Sequence, residues 1–72
     1  MDMRKLVGRN VKHFRDKKGL TQEKLSEISG FSQQYISGLE HGRRNATIVS
    51  IYEISRALGV NYLELLKPRK AD

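Results

Sequence analysis

TQEKLSEISGFSQQYISGLE, residues 21–40, reads as two short amphipathic helices joined by a tight turn at Ser29-Gly30-Phe31. Leu25 and Ile28 are apolar at i, i+3 in the first half; Ile36 and Leu39 repeat the spacing in the second, with Phe31 just ahead. That period belongs to a helix and not to a strand. Gly30 stands where a sharp change of direction calls for a residue that tolerates positive φ. Gln33 and Gln34 open the polar face of the second segment. Paired amides at a helix N-terminus match the adenine edges that a major groove presents. The stretch therefore predicts a helix, a turn and a second helix with a base-reading face.

Outward from this pair, the remaining chain reads as helices punctuated by glycine. Gly19, Gly30, Gly42 and Gly59 each close an apolar-periodic segment, as residues just past a helix end do. The spacing predicts a first helix from residue 2 or 3 to residue 18, with Val7, Val11 and Phe14 buried and Leu6 or Lys5 at the edge. Thr21, Ser32 and Thr47 are the expected N-caps of helices 2, 3 and 4. Ile48, Ile51, Ile54, Ala57 and Leu58 form the apolar face of helix 4. Asn61 with Glu64 three residues later suggests a capping box that opens a short helix 5 carrying Leu63 and Leu66. Pro68 stops it, and residues 68–72 are expected to fray. No segment alternates apolar and polar residues, so an all-α, compact five-helix domain spanning residues 1–72 is predicted.

Composition narrows the function. A chain of 72 residues supports one domain with a small core. Cysteine is absent, which excludes disulfides and thiolate zinc sites. The N-terminus has charge but no apolar core of the kind a signal peptide needs. No apolar run approaches the roughly 20 residues that span a bilayer. A soluble, cytoplasmic and nucleoid-associated protein is expected, with no membrane partner. The formal charge is +6 and the isoelectric point about 10.0, which suits a polyanionic partner. Residues 1–20 hold Arg4, Lys5, Arg9, Lys12, Arg15, Lys17 and Lys18 against Asp2 and Asp16. Residues 21–46 are neutral, because Lys24, Arg43 and Arg44 balance Glu23, Glu27 and Glu40. The positive field thus flanks the glutamines, as phosphate contacts flank a neutral reading surface.

The order of motifs resembles the lambda-repressor/Cro-like, Xre-type helix-turn-helix family over roughly residues 7–66. Its Gly-Leu-Thr-Gln entry is Gly19 to Gln22, its turn glycine is Gly30, and its buried aliphatics in the recognition helix are Ile36 and Leu39. Its Glu-x-Gly close is Glu40-His41-Gly42, and its Ala-Leu-Gly-Val end of helix 4 is Ala57 to Val60. Two positions depart from the pattern: Ser26 replaces the usual alanine, and Ala46 the usual proline before helix 4. The resemblance implies a DNA-binding domain whose helix-turn-helix lies at helices 2 and 3.

The resemblance also assigns roles, each with a plainer reading beside it. Gln33, Gln34, Ser37 and Gly38 are expected to contact bases, against the plainer reading of a polar surface. At Gly38, where glycine costs about 1 kcal/mol relative to alanine, either the backbone approaches DNA closely or the residue is simply tolerated. Gln22 is expected to bond a phosphate and to brace Gln33. Tyr35 either covers the core beside Leu39 or also reaches a phosphate through its hydroxyl. Ser32, Arg43, Arg44 and Asn45 complete the expected phosphate contacts, with a solvated loop as the plainer reading of the last three. Arg15 and Glu40 resemble the family's structural ion pair between helix 1 and the end of helix 3.

Catalysis has no foothold: no Ser/His/Asp set, Gly-rich phosphate loop or paired carboxylates are present, and His13 and His41 have no second ligand at metal spacing. No cofactor, metal or enzymatic activity is expected. The predicted function is a transcriptional regulator, a repressor that binds a palindromic double-stranded DNA operator as a homodimer through Tyr62, Leu63 and Leu66, with Ile48 nearby. The plainer reading has Leu63 and Leu66 cap the monomer core. An antitoxin with a toxin partner and a restriction–modification controller are alternatives within the class. A helical protein-interaction or RNA-associated module is the alternative outside it.

Overall fold

Four α-helices follow one another, α1 (Met3–Lys17), α2 (Gln22–Ser29), α3 (Gln33–Glu40) and α4 (Ile48–Leu58), and a 3-10 segment, Tyr62–Leu66, comes after them. The computed structural model describes residues 1–69; residues 70–72, the end of the expected tail, lie outside the described residues. No strand occurs among the described residues. Each α-helix starts on a side chain that accepts an otherwise orphaned amide. The Asp2 carboxylate takes the amides of Arg4 and Lys5, while the hydroxyls of Thr21, Ser32 and Thr47 take those of Lys24, Tyr35 and Ser50. The four expected glycines close the helices in the left-handed region.

α1 lies across α3 and the 3-10 segment, and α2 packs on α3 and α4. Val11, Leu25, Ile36, Leu39, Ile54 and Leu65 are the fully buried core, with Val7 and Leu58 beside them. Leu6, expected at an edge, is buried, and Phe14 packs against the core only partly buried. α1 and α3 meet at Gly8, where a Cβ would run into the Leu39 carbonyl and stand 2.9 Å from that of Glu40. Only a residue without a side chain allows backbones this close. Ile28 leaves the expected stripe and is 49% exposed, so Leu25 alone anchors α2 in the core.

The fifth helix expected from the sequence is not an α-helix. Tyr62–Leu66 spans five residues before Pro68 and takes the tighter 3-10 form, in which residues three apart eclipse one another. Leu63 and Leu66 therefore share a face, as expected, but Leu63 on that face is half exposed, and the fully buried residue is Leu65. The capping box does not form. Asn61 accepts the Leu63 amide, and the Glu64 carboxylate pairs with Lys67 instead of reaching back. Asn10, fully buried on α1, fixes the segment by donating from Nδ2 to the carbonyls of Leu65 and Lys67, each at 2.9 Å. Arg69, assigned to the fraying tail, is half-buried against α1, with Nη2 2.6 Å from His13 Nε2 and its guanidinium over the Phe14 ring.

Candidate nucleic-acid interface

The first turn of α3 carries the two glutamines outward because the rest of the helix is pinned inward. Ile36 and Leu39 face the core one turn apart, so Gln33 and Gln34 are left exposed. Ser32 caps the helix as an acceptor, which leaves its hydroxyl proton for an outside acceptor. Beside this face lies an open cleft of about 490 Å³ lined by Gln22, Gln33, Gln34, Ser37, Gly38, Arg43 and Arg44. Its lining holds two arginines and no carboxylate, which suits an anionic ligand edged with hydrogen-bonding groups. All four residues expected to meet bases come together there, with three of those expected at phosphates.

The other three lie elsewhere. Ser32 is at the head of α3, outside the cleft lining. Asn45 borders a separate recess with Met3, Arg4 and Ala46. Tyr35 is half-buried, its ring stacked on Phe31 at 4.9 Å and its hydroxyl 3.2 Å from Ser50 Oγ. Ser50 in turn receives a hydrogen bond from the Thr47 hydroxyl, so a polar chain runs from the cap of α4 to the first turn of α3.

Below the cleft, Glu40 gathers three donors. Arg15 Nε and Nη2 reach its two oxygens at 2.6 and 3.0 Å, and Gln22 Nε2 adds a third contact at 3.0 Å. The Glu40 side chain is 2% exposed and that of Arg15 10%. The hydrogen bond to Glu40 holds the Arg15 guanidinium above its ordinary value, against the effect of burial. Arg15 Nη1 also donates to the Leu20 carbonyl at 2.7 Å, which ties the entry of α2 to α1. The expected ion pair is therefore present, but the bracing role differs: Gln22 holds Glu40, not Gln33. The Glu40 oxygen that accepts from Arg15 Nη2 lies within reach of Gln22 and offers the stronger, charge-assisted bond.

The exit from α3 is equally fixed. Gly42 is left-handed, its amide donates to Leu39 and the Arg43 amide donates to Gly38, the paired closure of a Schellman motif. Arg43 and Arg44 thus leave the helix in a defined direction, back along the cleft. At position 38 the helix packs against a side chain that the sequence reading did not pair with it. The three atoms nearest to where a Cβ would stand all belong to Arg44, the closest at 3.0 Å.

The matched family model is the helix-turn-helix family HTH_3, over residues 11–65. The chain belongs to the Xre-type helix-turn-helix family of DNA-binding regulators. Within that family it is 59% identical over 68 residues to an uncharacterized HTH-type transcriptional regulator, y4dJ, of Sinorhizobium fredii, covering 94% of this chain and 88% of that one. Among solved structures it is similar to the hypothetical transcription factor NHTF from Neisseria, with a TM-score of 0.92 and 34% identity over 97% of this chain and 80% of that one. The restriction–modification controller C.AhdI from Aeromonas hydrophila superposes with a TM-score of 0.83 and 35% identity, covering 86% of this chain and 94% of that one. In this helix-turn-helix chain the cleft lies on α3, the second helix of the motif.

Sequence reasoning missed several residues that position this site. Gly8, inside α1, is the point of its contact with α3. Asn10 and Ser50 are buried polar residues at helical spacing, indistinguishable by type from surface ones. No helix of the described residues is long and apolar enough to cross a membrane, and those residues hold no group of three or more side chains that could bind a metal ion.

Proposed function

We propose that this protein is a repressor that binds a palindromic operator as a homodimer, with α3 in the major groove. One observation carries the reading: Gln33, Gln34 and Ser37 converge with arginines on one carboxylate-free cleft. Gln33 and Gln34 read base edges, and Arg43, Ser32 and Gln22 hold phosphates on either side. Tyr35 and Asn45, outside the cleft, meet the backbone only where it curves past α3. The chain works as one domain, in the cytoplasm, and represses by occluding a promoter.

A dimer is supported by apolar surface that the core leaves outside. Ile48 is 85% exposed and Val49 68%, and with Tyr52, Tyr62, Ile51 and Leu66 they line an apolar recess. Leu63, outside the lining of this recess, is half exposed as well. Each half-site would meet one α3, with centres about 34 Å apart. The similarity to C.AhdI favours a second reading within the class, a restriction–modification controller.

Selection of bound duplexes from a random library tests the proposal. A palindromic consensus is expected, and Gln33→Ala with Gln34→Ala should relax preference at the adenine positions by about 1–3 kcal/mol per position. Binding should weaken with salt at a slope of about −0.9 per phosphate contact. No enriched sequence, or a preference untouched by both truncations, would overturn it.

A further inference from the structure

We propose that Arg44 is a specificity-determining residue that reads a guanine edge from a seat formed by Gly38 and Tyr35, and that glycine stands at position 38 to make room for it. The inference rests on the DNA-reading proposal above and adds a base contact to it.

Three observations converge. A Cβ at position 38 would stand 3.0 Å from Arg44 Cγ, 3.2 Å from Nε and 3.7 Å from Cδ, so the arginine stem lies flat on the helix backbone. The guanidinium carbon sits 5.5 Å from the centre of the Tyr35 ring, within reach of its π face. That ring is itself held by its stack on Phe31 and by the hydroxyl contact to Ser50. The Schellman closure through Gly42 fixes where the Arg44 backbone starts. An exposed arginine is thus held at its root, along its stem and at its head.

A charge that merely neutralises phosphate needs none of this, because any rotamer near the backbone serves. Bidentate donation to guanine O6 and N7 needs a planar fork held in one orientation. The seat supplies that orientation before DNA arrives and removes part of the rotamer entropy that binding would otherwise consume. Arg44 lines the same cleft as Gln33 and Gln34, so the base it meets belongs to the half-site those glutamines read. Gly38 and Tyr35 are positioning residues, acting through Arg44.

The experiment uses the full chain and the duplex it selects from a random library, with single base-pair substitutions through each half-site. Arg44→Ala should lower discrimination at one G·C pair by about 5–150-fold. Arg44→Lys, with the charge kept and the fork lost, should restore affinity for all sequences in part and discrimination at that pair not at all. Gly38→Ala should produce the same position-specific loss while raising Tm, since alanine is the better helix former and the displaced atoms belong to a flexible side chain. The double variant Gly38→Ala with Arg44→Ala should discriminate no worse than Arg44→Ala alone. Full recovery by lysine, an unchanged Gly38→Ala preference, or a uniform loss with a salt slope smaller by about 1 would make Arg44 a phosphate contact and overturn the inference. In those cases the glutamine-dependent consensus persists; a wild-type protein that selects no sequence would bring down the DNA-reading proposal itself.

Discussion

The hydroxyl of Tyr35 lies 3.2 Å from the Ser50 hydroxyl, so the first turn of α3 is hydrogen-bonded to the first turn of α4. Two elements separated by the Arg43-Arg44-Asn45 loop therefore keep their relative position through a neutral bond. Replacing Tyr35 by phenylalanine removes this bond and leaves the ring. Stability should fall by about 0.5–1.5 kcal/mol in urea unfolding. Discrimination between operator variants should persist, because the Phe31 stack and the surface beneath Arg44 survive. Tyr35→Ala should lose both. Equal loss of discrimination in the two variants would place the hydroxyl, not the ring, at the DNA.

Arg15 and Glu40 form a deeply buried charged pair, and they join α1 to the end of α3. Arg15→Ala strands the Glu40 carboxylate under α1, which should cost about 3–5 kcal/mol, a large share of what a chain this size holds. Arg15→Met with Glu40→Leu removes both charges and should be milder than either single truncation to alanine, read from denaturation midpoints. The sign of the pH effect follows from the raised Arg15 value. Its contribution is fully present below the unfolded value and is lost only as pH rises through the still higher folded one. Stability between pH 7 and 10 should therefore show no drop traceable to Arg15, which a comparison with Arg15→Met tests directly.

Most of the fold was legible in local chemistry. Thr21, Ser32 and Thr47 are caps, and Gly19, Gly30, Gly42 and Gly59 are left-handed closures, because both roles depend on a few adjacent atoms. The four residues expected to face bases share one cleft for the same reason: helical spacing alone puts them on the side opposite Ile36 and Leu39. What failed depended on distant partners. Leu65 is the fully buried residue of the last segment, and what fixes that segment is Asn10, 55 residues away, donating to the Leu65 carbonyl. Gln22 turned to Glu40 because its neighbour in space is 18 residues away in sequence, and the Arg44 stem beside Gly38 was equally outside the helical pattern. No period within a helix encodes such contacts.

Asp2 gives a prediction at the acid end. Its carboxylate accepts the amides of Lys5 and Arg4 at the start of α1, and these bonds hold it below the ordinary carboxylate value. A lowered folded value means that its contribution is present above the unfolded value, about 3.9, and is lost as pH falls through the folded one. Asp2→Ala should therefore lower Tm at pH 7 and leave it unchanged near pH 2. A difference that persists at pH 2 would show that the alanine acts through something other than the cap.

Ile48 and Val49 stand at the first turn of α4 and are among the most exposed large apolar side chains of the protein, while Leu63 on the 3-10 segment is half exposed. None contributes to the monomer core, so their replacement separates association from folding. Ile48→Glu should leave the unfolding free energy within about 0.5 kcal/mol of the parent when the protein is dilute and monomeric. On the proposed dimer, the same change would bury an unpaired carboxylate at the recess formed with Tyr52, Tyr62 and Leu66, which opposes association strongly. Sedimentation at rising concentration should show the parent passing from monomer to dimer and the variant remaining monomeric. Operator affinity should fall with it, because one half-site then binds without the other, while discrimination within a half-site stays intact. A variant that still dimerises would move the interface away from α4 and Tyr62–Leu66.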